Sequence, residues 1–148
     1  IYKLKPTLID KIWGGKNLRL KYNYDASDCC GEAWGISAHE NGESIIENTC
    51  YRGMSLKELF INHKELFGYY EGFGFPILFK VIDANANLSI QVHPDDEYAK
   101  AFNSSGKTES WYILENAKDT SVIIGHTAKT KNELFRLFEE QRFDKLLN

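Results

Sequence analysis

The sequence lacks the features that mark membrane or nucleic-acid-binding proteins. No apolar run approaches the roughly 20 residues needed to cross a bilayer, and no secretory signal peptide is recognisable. The basic residues are scattered and the formal net charge is −3, so no basic stripe predicts contact with phosphates. We therefore expect neither a membrane nor a nucleic acid among the partners.

Cysteine is also scarce. The three thiols belong to Cys29, Cys30 and Cys50, an odd number with an adjacent pair. This is a poor disulfide framework, and the spacing is not the C-x-x-C of a zinc or redox motif. Free thiols fit a reducing compartment, which predicts a cytoplasmic protein.

What the chain does have is enough apolar material for one core. It holds 148 residues, of which 43% are hydrophobic and 14% aromatic, without an internal repeat or a linker. A chain of this length buries about 70% of its unfolded surface. We therefore expect a single domain over residues 1–148.

Two helices carry strong local signals. Ser55 and Glu58 form a capping box ahead of an apolar stripe that Gly68 ends, and Thr130 with Glu133 forms a second box. Shorter helices are expected after Pro94 and over residues 143–147.

Strand patterns account for most of the rest, whereas residues 4–20 read as irregular chain with a tight glycine turn. The expected strands are Glu32–Ala38, Ser44–Ile46, Phe75–Ile82, Leu88–His93, Glu109–Leu114 and Ser121–Gly125. They are short and are separated by loops rather than crossover helices. The pattern favours a mainly β antiparallel sandwich or barrel with added helices.

The candidate site lies where polar residues interrupt two of these strands. In LSIQVHP, residues 88–94, Ser89, Gln91 and His93 alternate with apolar residues and share one face. In GKTESWYIL, residues 106–114, Glu109 enters an apolar strand and needs a partner, which could be Lys107, an arginine or a metal. His93 and Glu109 would form half of a divalent-metal site, with Gln91 as a third ligand. The alternative is a solvated outer face of an edge strand.

Several segments together resemble the type I phosphomannose isomerases. They are Trp13-Gly14-Gly15, GEAWGISAHENGES at residues 31–44, FPILFKVIDANANLSIQVHPDD at 75–96, GKTESWYIL at 106–114 and GHTAKTKNEL at 125–134. They follow one another in the family's order over nearly the whole chain.

The resemblance implies a cupin-type β-jelly-roll barrel that binds one zinc ion and interconverts mannose 6-phosphate and fructose 6-phosphate. By position, Gln91, His93 and Glu109 match metal ligands. Ser89 and Lys107 match residues near the sugar or its phosphate, and Trp13 matches one at the mouth of the site; the phosphorylated hexose is the expected partner. A lowered pKa would instead make Lys107 a base.

The family's last histidine ligand and its catalytic arginine lie downstream of the matched segments. His39, His63 and His126 match neither. The chain therefore resembles the N-terminal part of a larger enzyme, and we expect the closing strands beyond residue 148. They would come from a further C-terminal segment or through self-association.

Two other functions fit a cupin fold. A sugar-phosphate-binding or regulatory cupin would keep the pocket without turnover. A cupin oxygenase would need a richer set of histidine ligands than His93 alone supplies near the motif.

Overall fold

The computed structural model describes residues 1–72 and 74–147; Asn148, the last residue of the expected domain, lies outside them. The strands are β1 (Leu4–Lys5), β2 (Thr7–Gly15), β3 (Cys30–Ile36), β4 (Ala38–His39), β5 (Gly42–Glu43), β6 (Ile45–Ile46) and β7 (Phe79–Ile82). The helices are α1 (Asn17–Leu20), α2 (Leu56–Asn62), α3 (Asp96–Lys100), α4 (Lys131–Glu139) and α5 (Phe143–Leu146), with a 3₁₀ turn at Lys64–Phe67.

The centre of the fold is an antiparallel sheet in the order β2-β3-β7. Ala33 in the middle strand pairs with Leu8 on one side and with Val81 on the other. Two small antiparallel pairs, β1 with β6 and β4 with β5, extend this arrangement. The mainly β character expected from the sequence is confirmed.

One side of the sheet carries a small core. Leu18 of α1 packs there with Cys30 and Ala33, and all three are fully buried. Leu8 and Val81 pack against this cluster from the flanking strands. The apolar residues of β2 and β7 are thus held together by the strand between them.

The expectation of irregular chain over residues 4–20 is wrong, because most of this segment forms β1, β2 and α1. Gly14 and Gly15, which were expected to form a turn, are the last two residues of β2. Gly15 is buried at the end of β2, and a Cβ there would come within 2.5 Å of the Asp83 carboxylate. That carboxylate accepts the N–H of Asn17 at 2.6 Å, so a contact between distant residues fixes the start of α1.

Both capping signals mark true helix starts. The Ser55 hydroxyl accepts the N–H of Glu58 at 3.1 Å, and the Glu58 carboxylate accepts the N–H of Ser55 at 2.9 Å. At α4, Thr130 accepts the N–H of Glu133 at 3.1 Å. The Glu133 carboxylate accepts from Lys129 instead of Thr130, so only half of the second box is reciprocal. The short helices expected after Pro94 and near residue 143 are α3 and α5.

The strands expected over 88–93, 109–114 and 121–125 are wrong for the chain as described, since none of these segments pairs in a ladder there. Their apolar residues are exposed, with Val92 at 94%, Tyr112 at 87% and Ile124 at 75%. The strand expected from Phe75 begins only at Phe79. A strand needs a hydrogen-bonding neighbour, and alternation alone cannot supply one.

Across residues 1–72 and 74–147, no helix is long and apolar enough to cross a membrane.

Candidate functional site

Three of the predicted site residues meet around one carboxylate. Glu109 Oε2 lies 3.0 Å from His93 Nε2, and Glu109 Oε1 lies 3.0 Å from Lys107 Nζ. The side chain of Glu109 is 35% exposed and that of His93 is 24% exposed. Of the partners considered from the sequence, Lys107 is therefore in contact with Glu109, and His93 shares the same carboxylate.

The surroundings keep Glu109 ionised. Burial raises the pKa of this carboxyl, but hydrogen bonds from Lys107 and His93 outweigh burial and hold its pKa below the ordinary value. A carboxylate that stays negative near neutral pH can accept hydrogen bonds or bind a cation. The pair His93–Glu109 thus presents a nitrogen and an oxygen ligand at one point.

Ser89 and Gln91 form a second contact in the same segment. The Gln91 side-chain nitrogen donates to Ser89 Oγ at 3.0 Å, so these two side chains lie on one face as alternation predicts. The bond engages the amide nitrogen and not the amide oxygen that would bind a metal. Among the described residues, no side-chain hydrogen bond joins Ser89 or Gln91 to His93, Lys107 or Glu109.

The donor set fits part of a divalent-metal site. Imidazole nitrogen and carboxylate oxygen are ordinary zinc ligands, and a catalytic zinc site has three protein ligands with one open position. In the part of the chain that the structure describes, no group of three or more His, Cys, Asp and Glu residues converges. His93 and Glu109 would supply two ligands and the Gln91 amide oxygen a third.

An open pocket lies beside this group. Its volume is about 480 Å³, and it is lined by Val92, His93, Pro94, Asp95 and Tyr98. Pockets that hold small ligands have volumes in the range of about 300–1,000 Å³. The imidazole of His93 therefore borders an open space within this range of volumes.

Trp13 contacts the chain shortly before the segment that carries Ser89, Gln91 and His93. Its indole packs on the backbone of Gly31, and its carbonyl accepts the N–H of Asn85 at 2.8 Å. Asn85 lies four residues before Ser89. Trp13 thus ties β2 to the segment that carries the ligands, while its predicted place at the mouth of the site stays a prediction.

A buried carboxylate at Glu32 was missed in the sequence. Glu32 Oε2 accepts the indole N–H of Trp34 at 2.6 Å, and Lys80 and Lys11 lie 3.5 and 3.9 Å from its oxygens. The signal was present, because Glu32 interrupts the apolar strand CGEAWGI as Glu109 interrupts ESWYIL. These residues link all three strands of the central sheet.

Comparison with known proteins gives one consistent answer. The family of the phosphomannose isomerase type I catalytic domain matches residues 1–137. Mannose-6-phosphate isomerase ManA of Bacillus subtilis is 45% identical over 146 residues, and the mannose-6-phosphate isomerase of Streptococcus mutans is 44% identical over 146. The crystal structure of the mannose 6-phosphate isomerase from Bacillus subtilis superposes with a TM-score of 0.93 at 42% identity.

These matches cover the chain almost completely but the relatives only in part. The chain is covered to 97% by either relative, and it spans 46% of the length of each. It covers 48% of the chain in the superposed structure, while 99% of its own residues are matched. The predicted fold class, a mainly β cupin-type fold with added helices of which this chain is a part, is confirmed. The chain belongs to the type I phosphomannose isomerase family, in the region of its catalytic domain.

Proposed function

We propose that the chain forms the N-terminal part of a zinc-dependent isomerase that interconverts mannose 6-phosphate and fructose 6-phosphate. The observation that carries the proposal is the meeting of His93, Lys107 and Glu109, which come from two separate segments. The relatives from Bacillus subtilis and Streptococcus mutans are both named mannose-6-phosphate isomerases, which supports the same substrate here.

In this proposal Gln91, His93 and Glu109 hold the zinc ion. When bound, the ion supplies a Lewis acid that stabilises the negative charge developing on the sugar oxygens as the aldose passes through an enediolate to the ketose. Glu109 is ionised at neutral pH as an ordinary glutamate is, and Lys107 and His93 lower its pKa further. No proton has to leave this carboxyl before a cation binds.

The remaining residues orient the sugar phosphate. Lys107 supplies a positive charge and Ser89 a hydroxyl, which are suitable donors to a phosphate or a sugar oxygen. Trp13 borders the mouth of the site. We assign proton transfer between C1 and C2 to no residue of this chain.

We also propose that the single domain 1–148 is closed by further polypeptide, from a longer chain or from a second copy. The chain exposes 11545 Å². A folded monomer of its mass of 17.0 kDa exposes roughly 7,700 Å². Large apolar side chains are exposed in the segments around Val92, Tyr112 and Ile124. Strands added there would complete the cupin barrel.

The cytoplasm is the expected location, because Cys29, Cys30 and Cys50 are all free thiols in the described chain. The proposed substrate agrees with this location, because the charge of a phosphorylated hexose keeps it from crossing a membrane.

The test combines zinc content with turnover in the full-length protein. Elemental analysis should give one zinc per chain, and a coupled assay should show mannose 6-phosphate converted to fructose 6-phosphate. His93→Ala and Glu109→Ala should each lose the metal, whereas His126→Ala should keep it, because His126 is exposed and far along the chain. Stoichiometric zinc in both ligand variants would contradict the assignment.

The same assay separates the main alternative. Zinc and sugar-phosphate binding without turnover would identify a binding or regulatory cupin. For Lys107→Ala we expect a raised KM with the metal content kept. An unchanged KM with a lost kcat would show that Lys107 transfers the proton instead.

A further inference from the structure

A short excursion of the chain, residues 94–106, separates His93 from Lys107 and Glu109. Hydrogen bonds join its two ends, and we call this junction the neck. The excursion leaves after His93 and returns before Lys107. The N–H of Lys107 donates to the carbonyl of Pro94 at 3.0 Å, and the N–H of Gly106 donates to Asp96 Oδ1 at 2.9 Å. Both hydrogen bonds lie within three residues of His93 or Glu109, so they join the main chain close to both side chains.

The excursion is itself compact. Asp95 caps α3 by accepting the N–H of Tyr98 at 2.8 Å, and Ala99 is 2% exposed. After the helix, the N–H of Ser104 donates back to the carbonyl of Ala99 at 3.1 Å. The chain between the two ends of the excursion is therefore held by its own hydrogen bonds and by the burial of Ala99.

Gly106 allows the two ends to pass closely. A Cβ at this position would lie 2.7 Å from the backbone nitrogen of Asp96 and 2.8 Å from the carbonyl carbon of Asp95. Such distances are below normal contact, and these two backbone atoms cannot rotate away. The Cβ would also lie 2.8 Å from Asp96 Oδ1. Any larger residue would therefore push the neck apart.

We propose that Asp96 is a positioning residue, whose carboxylate closes the neck on Gly106 and so holds Glu109 in reach of His93. The inference rests on the proposed metal site. One main-chain hydrogen bond, from Lys107 to Pro94, joins the two ends of the excursion, and the bond from Gly106 to Asp96 adds a second point of attachment. Metal ligands tolerate displacements of only about 0.2 Å, so a small widening of the neck weakens metal binding.

The experiment measures cobalt binding to the full-length protein freed of metal. Co²⁺ serves as a probe because its visible absorption spectrum reports ligand geometry directly, and its Kd follows from competition with a chelator. Asp96→Ala should weaken binding about 10-fold or more and change the spectrum. Asp96→Asn keeps an acceptor oxygen for Gly106 and should restore both. Glu97→Ala is the matched control, since it removes a neighbouring acid of α3 that does not contact the neck.

A second variant widens the same neck by steric contact while the Asp96 side chain is kept. Gly106→Ala should weaken cobalt binding and alter the spectrum with Asp96 intact, while thermal unfolding and circular dichroism report whether the fold is kept. Wild-type affinity and spectrum in both Asp96→Ala and Gly106→Ala would overturn the positioning role. Failure of Asp96→Asn to rescue would overturn it as well. Absence of cobalt binding in the wild-type protein would instead overturn the proposed metal site.

Discussion

The central sheet and the segments that carry the candidate ligands differ in how they bury their apolar residues. In the sheet, Leu18, Cys30 and Ala33 are fully buried against one another. In the ligand-bearing segments, Val92 is 94% exposed and Tyr112 is 87% exposed. Both regions have apolar sequences with strand character. Within the described chain, only the first forms strands that pair in a sheet.

The difference indicates that one part of the chain stabilises the fold and another carries the candidate metal site. β2, β3 and β7 complete each other, so this part can be stabilised by its own contacts. The residues around His93 and Glu109 are tied together by polar contacts and by the neck at Asp96, with little apolar burial beneath them. Stability and metal binding should therefore respond to different substitutions.

The largest expected effect on stability is in the packed region. Leu18→Ala removes a fully buried side chain from the core beside the central sheet and should cost about 2–5 kcal/mol. Val92→Ala, at an exposed position, should change the free energy of unfolding by about 0.5 kcal/mol or less. Urea unfolding of the 148-residue chain measures both. Equal losses at the two positions would break the comparison.

The Val92 measurement also sharpens the proposal that further polypeptide covers this surface. If Val92 is covered in the full-length protein, Val92→Ala should lower the free energy of unfolding of that protein more than that of the 148-residue chain. The same small effect in both would show that the residue stays exposed.

The next largest effect on stability is expected from the carboxylates of Glu32 and Glu109. Glu32→Ala leaves the buried indole N–H of Trp34 and two lysines without their acceptor, and should cost about 1–3 kcal/mol. Glu109→Ala removes only a half-exposed ion pair and should cost about 0–1 kcal/mol. Zinc content should show the reverse order. A larger loss of stability in Glu109→Ala than in Glu32→Ala would contradict the division of roles.

The two helix caps provide a smaller and closely matched pair. Ser55→Ala should cost about 1–2 kcal/mol, because it removes one half of a reciprocal, partly buried capping box. Thr130→Ala removes a single exposed bond and should cost about 0.5–1 kcal/mol. Thermal unfolding followed by circular dichroism compares them. A greater loss at Thr130 would mean that burial does not set the strength of the cap.

The smallest expected effect is a dependence of stability on acid. The hydrogen bond from Arg19 holds the pKa of Asp28 below its ordinary value, and Arg142 does the same to the pKa of Asp144. Because the folded-state pKa is lower than the unfolded one, each carboxylate stabilises the fold above the unfolded pKa. This contribution is lost as the pH falls through the folded-state pKa, below about pH 4.

The variants Asp28→Asn and Asp144→Asn should therefore show slightly flatter pH profiles of unfolding than the wild-type chain. Both sites are fully exposed, so the changes should be small and reduced further by salt. A steeper acid transition in either variant would contradict the sign of the effect.

Local signals in the sequence predicted the helices well. The boxes at Ser55 and Thr130 mark helix starts because a cap is made by residues three positions apart. The strand around Glu32–Ala38 was also correct, as β3. The segment 4–20 was misjudged because β2 is held by hydrogen bonds to β3, and its glycines suggested a turn when read alone.

The candidate site divides in the same way. The sequence identified His93, Lys107 and Glu109 from residue type and alternation, and the described structure brings them together. It gave no hint of Asp96 and Gly106, because their contact depends on the path of an excursion that returns on itself. Glu32 was readable as an acid in an apolar strand, but its partners Trp34 and Lys80 are joined only by strand register.

The sequence by itself determined where two helices begin and which segments are apolar on one face, and it supplied the candidate site residues. Those properties follow from side-chain chemistry and from contacts a few residues long. Only the tertiary structure decided which apolar segments become strands and which ligands meet. A ladder partner, and a contact such as that of His93 with Glu109, join residues far apart in the chain, and no local pattern specifies that separation in space.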